Sequence, residues 1–409
     1  MSWTDEMQQF VSSHLADDTA RLLLSAHRFP TIDVPFAVEQ IEARRRLRYK
    51  LPAWYQAPAL IMSGRVPAEQ CSSEQTARFK RSVMLPDARS LCDMTGGMGV
   101  DFWYMSQRLD LAIYTERHAA LCDAARHNFS VLSSLSSSSA ADAPRQVVVR
   151  HGLSTELPVP DVDVIYLDPA RRSSDGGRVY EISDCEPDVI AWHPDLLRHC
   201  RQLIVKVSPM ADITRAVSRL RHVSDVYVVA VRGECKELLL VLAPSAPAEV
   251  RDYHIHCVDF LSSRTLSFSL SSAELSPVPV SSLAVSLGRY FYEPDVTLLK
   301  CQAFAALAGR FAVRMLDADC HYFTSDALIP DFPGRVFQVH STVEFSSRTL
   351  RRLRSVLPQA NIATRAFPLT ANQVRQRTGI RDGGDAYLFG ATLHGVGPLF
   401  IRCHKLGPL

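Results

Sequence analysis

The residues best suited to chemistry are concentrated in three short runs. LCDMTGGMGVDFWYMS places Asp93, then Gly96, Gly97 and Gly99, then the start of a helical pattern. So many glycines let backbone approach a ligand closely, and the helix that follows presents N-terminal amide groups. Phosphates, dinucleotides and sulfonium cofactors are all held by such turns, so the turn alone names no chemistry. The next β-rich run, LAIYTE, ends in Glu116, roughly 20 residues past the glycines, where an acid accepts hydrogen bonds from both hydroxyls of a ribose. Turn and acid together point to an adenosine-type cofactor. The third run, VDVIYLDPARR, ends in Asp168-Pro169, and an Asp-Pro at the carboxyl end of a strand sets the acid in the crevice where open α/β sheets bind ligands.

These runs need a sheet to bring them together. From residue 86 to 245, β-rich runs alternate with helical stretches: RSLCDM, LAIYTE, QVVVRH, VDVIYLD, QLIVKVS, DVYVVAV and ELLLVLA. Such a series predicts a buried, mainly parallel sheet with crossover helices. Its closing strand pair and the compact motif after the fourth strand favour S-adenosylmethionine (SAM) over a nicotinamide cofactor. Here the sequence resembles class I SAM-dependent methyltransferases, and the expected fold is α/β, a Rossmann-like class I methyltransferase seven-stranded sheet with an N-terminal helical region and a C-terminal α+β module. Residues 1–85 have helical spacing, as in VSSHLADDTARLLLSA and VPFAVEQIEARRRLRYKLPAW. The serine-rich SSLSSSSAADAP reads as a mobile surface loop. A proline-containing boundary, APSAPAE, precedes a shorter mixed series of strands and helices, with VTLLKCQAFAALAGRF read as one helix.

Several separated segments resemble one family. EQCSSEQTARFK, DPARRSSDGGRVYEISDCEPD, YFYEPDVTLLK with TSDALIPDFPGRVF, and TRAFPLTANQVRQRTGIRDGGDAYLFGATL occur in order as in bacterial class I SAM-dependent methyltransferases with a THUMP-like C-terminal domain, in the branch with a ferredoxin-like domain. DMTGGMGVD followed by TER is also similar to the first two motifs of a bacterial 16S rRNA guanine-N2 methyltransferase, including the Thr where most relatives have Gly. The resemblance implies an N-terminal helical region over 1–85, a methyltransferase domain over 86–245, a ferredoxin-like domain over 250–334 and a THUMP-like domain over 335–409. It implies SAM as cofactor and, through the THUMP-like label, RNA as substrate. Asp93 and Gly97 to Gly99 would line the methionine portion, Glu116 the ribose, and Asp168 with Pro169 the junction of sulfonium and substrate. The full candidate set for the cofactor is Asp93, Thr95, Gly96, Gly97, Gly99, Asp101, Glu116, Arg117, Gly152, Leu153 and Asp168; Asp168 and Pro169 are the catalytic candidates.

Two departures from the general methyltransferase pattern bear on the site. The acid that usually follows the third strand is missing from RHGLSTE, where Leu153 and Ser154 stand, so adenine would be held by backbone and apolar packing. DPAR also lacks the second Pro and the aromatic of the motif that methylates exocyclic amines on flipped bases; Tyr180 or Trp192 could supply stacking instead. Arg171, Arg172 and Arg178, beside the pliable Gly176-Gly177, are candidates to clamp a substrate phosphate. On helices, Arg44 with Arg48 and Arg348 with Arg352 would share faces that could track a phosphate backbone. Ser72 and Gln75 have the spacing of a helix-capping box, and the segment either orders one helix or takes part in closing over cofactor or substrate.

Composition sets outer bounds. The chain has 409 residues, 47% of them hydrophobic and 22% charged, with a net charge of +2, which suits a globular cytoplasmic protein and neither demands nor excludes a polyanionic partner. Its apolar runs are far shorter than the roughly 20 residues a membrane span needs. Ten scattered cysteines lack metal-site spacing and read as reduced thiols, and His254 and His256 share a strand face without a third ligand in sequence, so no metal is expected. The rival readings are an idle RNA-binding scaffold and a methyltransferase of proteins or small molecules.

Overall fold

The structure, a computed structural model, describes residues 3–62, 69–135, 143–171, 181–249 and 252–407. It divides into two compact units, residues 1–224 with 239–250, and residues 225–238 with 251–409.

The first unit opens with α1 (Asp5–Ser13), α2 (Thr19–Leu24), α3 (Val34–Leu47) and α4 (Pro52–Tyr55). Thr4, Asp18 and Asp33 cap the first three by accepting from amides of the first turn. Met7, Phe10, Leu22, Val38 and Ile41 form their shared core, as helical spacing predicts. Helix α5 (Glu74–Val83) is capped by Ser73, whose hydroxyl accepts from the Thr76 amide. The cap lies one residue past the expected Ser72, which turns inward instead, with consequences for the site.

All seven expected strands form: β1 (Ser90–Asp93), β2 (Leu111–Glu116), β3 (Gln146–His151), β4 (Val162–Leu167), β7 (Cys200–Val207), β8 (Val223–Val231) and β9 (Glu234–Leu242). A two-residue pair, β5 (Ala170–Arg171) and β6 (Cys185–Glu186), lies between β4 and β7. With β10 (His254–Phe260) and β11 (Thr265–Ser271), the larger sheet has the order β11-β10-β8-β9-β7-β4-β1-β2-β3. Its β4-β1-β2-β3 stretch is parallel, with β1 central, so the carboxyl ends of β1, β2 and β4 lie side by side. Helices α6 (Val100–Ser106) and α7 (Ala119–Leu135) follow β1 and β2; α8 (Val189–Leu196) and α9 (Ile213–Ser218) flank β7. The sheet has nine strands because β10 adds in parallel to β8, and β11 pairs antiparallel with β10. Most of the serine-rich stretch, residues 136–142, lies outside the described residues.

The second unit holds a seven-stranded sheet in the order β13-β14-β12-β15-β18-β17-β16, built from β12 (Tyr290–Pro294), β13 (Arg314–Met315), β14 (Phe323–Ser325), β15 (Gly334–Glu344), β16 (Asn361–Arg365), β17 (Ala386–Leu393) and β18 (Gly397–Lys405). The run expected as one helix divides into α10 (Val296–Lys300) and α11 (Phe304–Phe311), because Gln302 takes a positive φ of 57° between them. Helices α12 (Ser347–Val356) and α13 (Ala371–Thr378) seal one core around Leu350, Leu353, Val374, Leu388 and Phe400.

Asp259 of β10 accepts the Gly233 amide at 2.9 Å, closing the β8–β9 turn. Burial, and then the neighbouring Asp295 carboxyl, push its pKa up to about 6. Because this folded value exceeds the unfolded one, the contribution is fully present below about pH 4 and is lost as pH rises through about 6. Asp259→Asn is therefore expected to flatten the decline of Tm across that window, as read by thermal denaturation at stepped pH.

Candidate active site

The glycine turn is shaped by what surrounds it. Gly97 and Gly99 have φ of 54° and 78°, values that side-chain-bearing residues rarely adopt. A Cβ at Gly96 would stand 2.1 Å from the Tyr114 ring, and one at Gly99 would stand 2.7 Å from Phe129. At Gly97 nothing closer than the Thr95 carbonyl oxygen, 3.8 Å away, meets that position, so the turn is tight behind and open in front. The Tyr114 hydroxyl donates to the Gly97 carbonyl, pinning the turn to β2.

Glu116, at the end of β2, is locked against this turn. One carboxylate oxygen accepts the Gly97 amide at 2.9 Å and the other accepts the His118 amide at 2.8 Å. Two bonds leave unused acceptor positions on a carboxylate, which has about four. Gly152 joins this corner by donating its amide to the Glu116 carbonyl at 3.0 Å. Leu153 follows, 41% exposed at the tip of β3, an apolar surface where the usual acid is missing. Arg117 turns outward and pairs with Glu186 at 3.5 Å.

Asp93 and Asp168 are joined through Thr95. The Thr95 amide donates to Asp93 at 2.9 Å, and the Asp168 amide donates to the Thr95 hydroxyl at 2.6 Å. The threonine of the first motif thus ties the end of β1 to the end of β4. Asp93 is only 1% exposed, and burial holds its pKa well above the usual carboxylate range; the Thr95 amide opposes this, and the charges of Asp101, Asp168 and Glu116 add to it. The Asp168 carboxylate receives the Lys206 ammonium from β7, and Pro169 beside it is buried.

Asp101, in the first turn of α6, sits beneath this layer. Its Oδ1 pairs with Lys80 at 3.1 Å, and its Oδ2 accepts from Ser72 and Tyr166, each at 2.8 Å. Burial would raise its pKa, but Lys80, Lys206 and the two hydroxyls together hold it below the usual value. Lys80, Lys206 and Tyr166 did not emerge from sequence reasoning, and Ser72 entered it through the spacing of a helix cap. The available signal was a lone lysine inside the apolar run LIVKVS, since a cation in a buried strand needs a partner.

The proposed phosphate clamp is only partly visible. Arg172, Arg178, Gly176, Gly177 and Tyr180, and the side chain of Arg171, lie outside the described residues; β5 and β6 pair Ala170 with Glu186 and Arg171 with Cys185. Trp192 is half-buried on α8. Arg44 is no phosphate tracker. It is 3% exposed and donates to the carbonyls of Tyr55, Ala57, Pro58 and Leu60, and burial pushes its pKa down to about 10. Arg348, Arg351, Arg352 and Arg354 on α12 are exposed opposite buried Leu350 and Leu353. His256 is engaged by Asp225 at 2.9 Å, and no cluster that could hold a metal occurs among the described residues.

Comparisons with known proteins bear on the family and the fold. The THUMP domain-like family model matches residues 334–405 and a ferredoxin-like domain model matches 290–333. A crystal structure from Porphyromonas gingivalis W83, classed as a methyltransferase, is 31% identical, with 100% of both chains covered and a TM-score of 0.87. A methyltransferase from Pyrococcus furiosus covers 49% of this chain and 98% of its own at 12% identity and a TM-score of 0.35, a likeness that bears on nothing further. A search of curated proteins finds no match. With a relative this similar along its whole length, the chain belongs to the bacterial class I methyltransferase family that carries a THUMP-like C-terminal domain, in the branch with an added ferredoxin-like domain.

Proposed function

We propose that this chain is a cytoplasmic SAM-dependent methyltransferase that modifies a base in RNA. The observation that carries the cofactor assignment is Glu116 locked to the open face of the glycine turn. When bound, SAM supplies an electrophilic methyl group on a sulfonium. Glu116 would hold the ribose, with the Gly97 to Gly99 backbone and Asp93 along the methionine portion. Gly152 and Leu153 would meet the adenine. Methyl transfer needs little covalent help, so the protein's task is alignment and removal of a proton. Asp168 would orient the nucleophilic nitrogen or oxygen and accept the proton it sheds.

The RNA assignment rests on the THUMP domain-like match and on the exposed arginines of α12, a helix with no acidic residue. Replacing Arg348 and Arg352 together with alanine is expected to weaken binding to all RNAs alike and to reduce the slope of log affinity against log salt by about one for each phosphate no longer neutralised. Titrations at several salt concentrations read this, and an unchanged slope assigns the helix elsewhere. The function is tested by mass spectrometry of nucleosides from RNA with and without the gene, together with tritiated-methyl transfer from SAM to RNA and protein extracts of the deletion strain. Label entering protein alone ends the RNA reading.

A further inference from the structure

We infer that Lys206 is a positioning residue that sets the direction of the Asp168 carboxylate for methyl transfer, braced from beneath by Asp101 and Lys80. The inference rests on the methyltransferase reading of this site. Asp168 is held at two points: its amide donates to Thr95, and its Oδ2 receives the Lys206 ammonium. Among the described residues the carboxylate's hydrogen bond engages Oδ2, so Oδ1 would be the acceptor offered to a substrate. The side chain of Asp168 is 35% exposed whereas that of Lys206 is 14% exposed, so the lysine supports the acid from the interior and the acid faces outward.

The brace has depth. Lys206 lies 4.0 Å from Asp101, which Lys80 meets from the other side at 3.1 Å; Lys80 is fully buried in α5. Lysines and acids therefore alternate from α5, through the first turn of α6, to β7 and the end of β4. Asp101 already has Lys80 and the hydroxyls of Ser72 and Tyr166, so neutralising Asp101 does not by itself account for Lys206. Lys206 approaches more closely the acid that faces outward. A carboxylate aligned this way raises the rate, because small misplacements of a reacting group carry large kinetic penalties.

The test is a double-mutant cycle in the full chain over Lys206→Met and Asp168→Asn, with Lys206→Arg as the conservative variant. Each protein is measured for S-adenosylhomocysteine affinity by calorimetry, and for kcat and KM in tritiated-methyl transfer from SAM to total RNA of the deletion strain. Lys206→Met is expected to lower kcat about 30- to 100-fold with KM little changed, and to add no more than about 2-fold when Asp168 is already Asn. Lys206→Arg should recover most of the rate, and S-adenosylhomocysteine affinity should stay within about 3-fold in the Lys206 variants. Losses that multiply in the double variant overturn the inference, as does a Lys206→Met chain with wild-type kcat. If Lys206→Met does not fold, Lys206→Gln, which keeps a donor, carries the cycle. A wild type that binds S-adenosylhomocysteine but methylates no RNA sinks the substrate reading instead. The cycle is then decided by a crystal structure of the Lys206 variant with that compound: an Asp168 carboxylate still in its present orientation overturns the inference, and a rotated one supports it.

Discussion

Asp101→Ala is expected to destabilise the chain by ~3–5 kcal/mol, because it removes the carboxylate that neutralises a buried ammonium and leaves Lys80 with the Ser72 hydroxyl at 3.0 Å in place of a countercharge. Lys80 is 0% exposed and its charge is met by Asp101 at 3.1 Å. The alanine variant also takes the acceptor from the Ser72 and Tyr166 hydroxyls, each of which donates to Asp101 at 2.8 Å. Adding Lys80→Met should restore much of the stability, since a buried ion pair replaced by apolar groups of similar volume is often neutral in stability. Denaturant unfolding of the single and double variants reads this directly. Equal stability of the two would mean that Lys80 finds another partner.

The second large effect is on ligand affinity. Glu116→Ala is expected to weaken SAM binding about 100-fold, the equivalent of two charge-assisted hydrogen bonds at roughly 1.5 kcal/mol each. The variant also removes the acceptor of the Gly97 amide, so the turn loses one of its ties to β2 at the point where the cofactor would lie. Glu116→Gln should fall between the two, since it retains an acceptor without the charge. Calorimetry with SAM on folded protein decides the matter, and unaltered affinity would remove Glu116 from the cofactor site.

Much of this site was legible in the sequence because its motifs are local. A glycine turn, an acid at the end of the next strand and an Asp-Pro two strands later are each set by short-range backbone requirements, and a parallel sheet with right-handed crossovers must then bring the strand ends together. The interior brace was not legible. Lys80 and Asp101 are 21 positions apart and Asp101 and Lys206 are 105 apart, and nothing in either neighbourhood announces a partner. Ser72 illustrates the same limit: its spacing to Gln75 suited a cap, but Ser73 took that role and Ser72 turned to Asp101. Arg44, one of a run of exposed-looking arginines, is buried because the carbonyls of residues 55–60 converge on it from a separate segment.

By itself the sequence determined the α/β series, the central strand motifs and the helical N-terminal region, since strand alternation, helical spacing and glycine turns follow from backbone sterics and the burial of apolar faces. Tertiary structure alone decided which charges meet. Ion pairing depends on the distance and desolvation that packing creates, so the alternating chain of lysines and acids from Lys80 to Asp168 exists only once α5, α6, β4 and β7 are assembled.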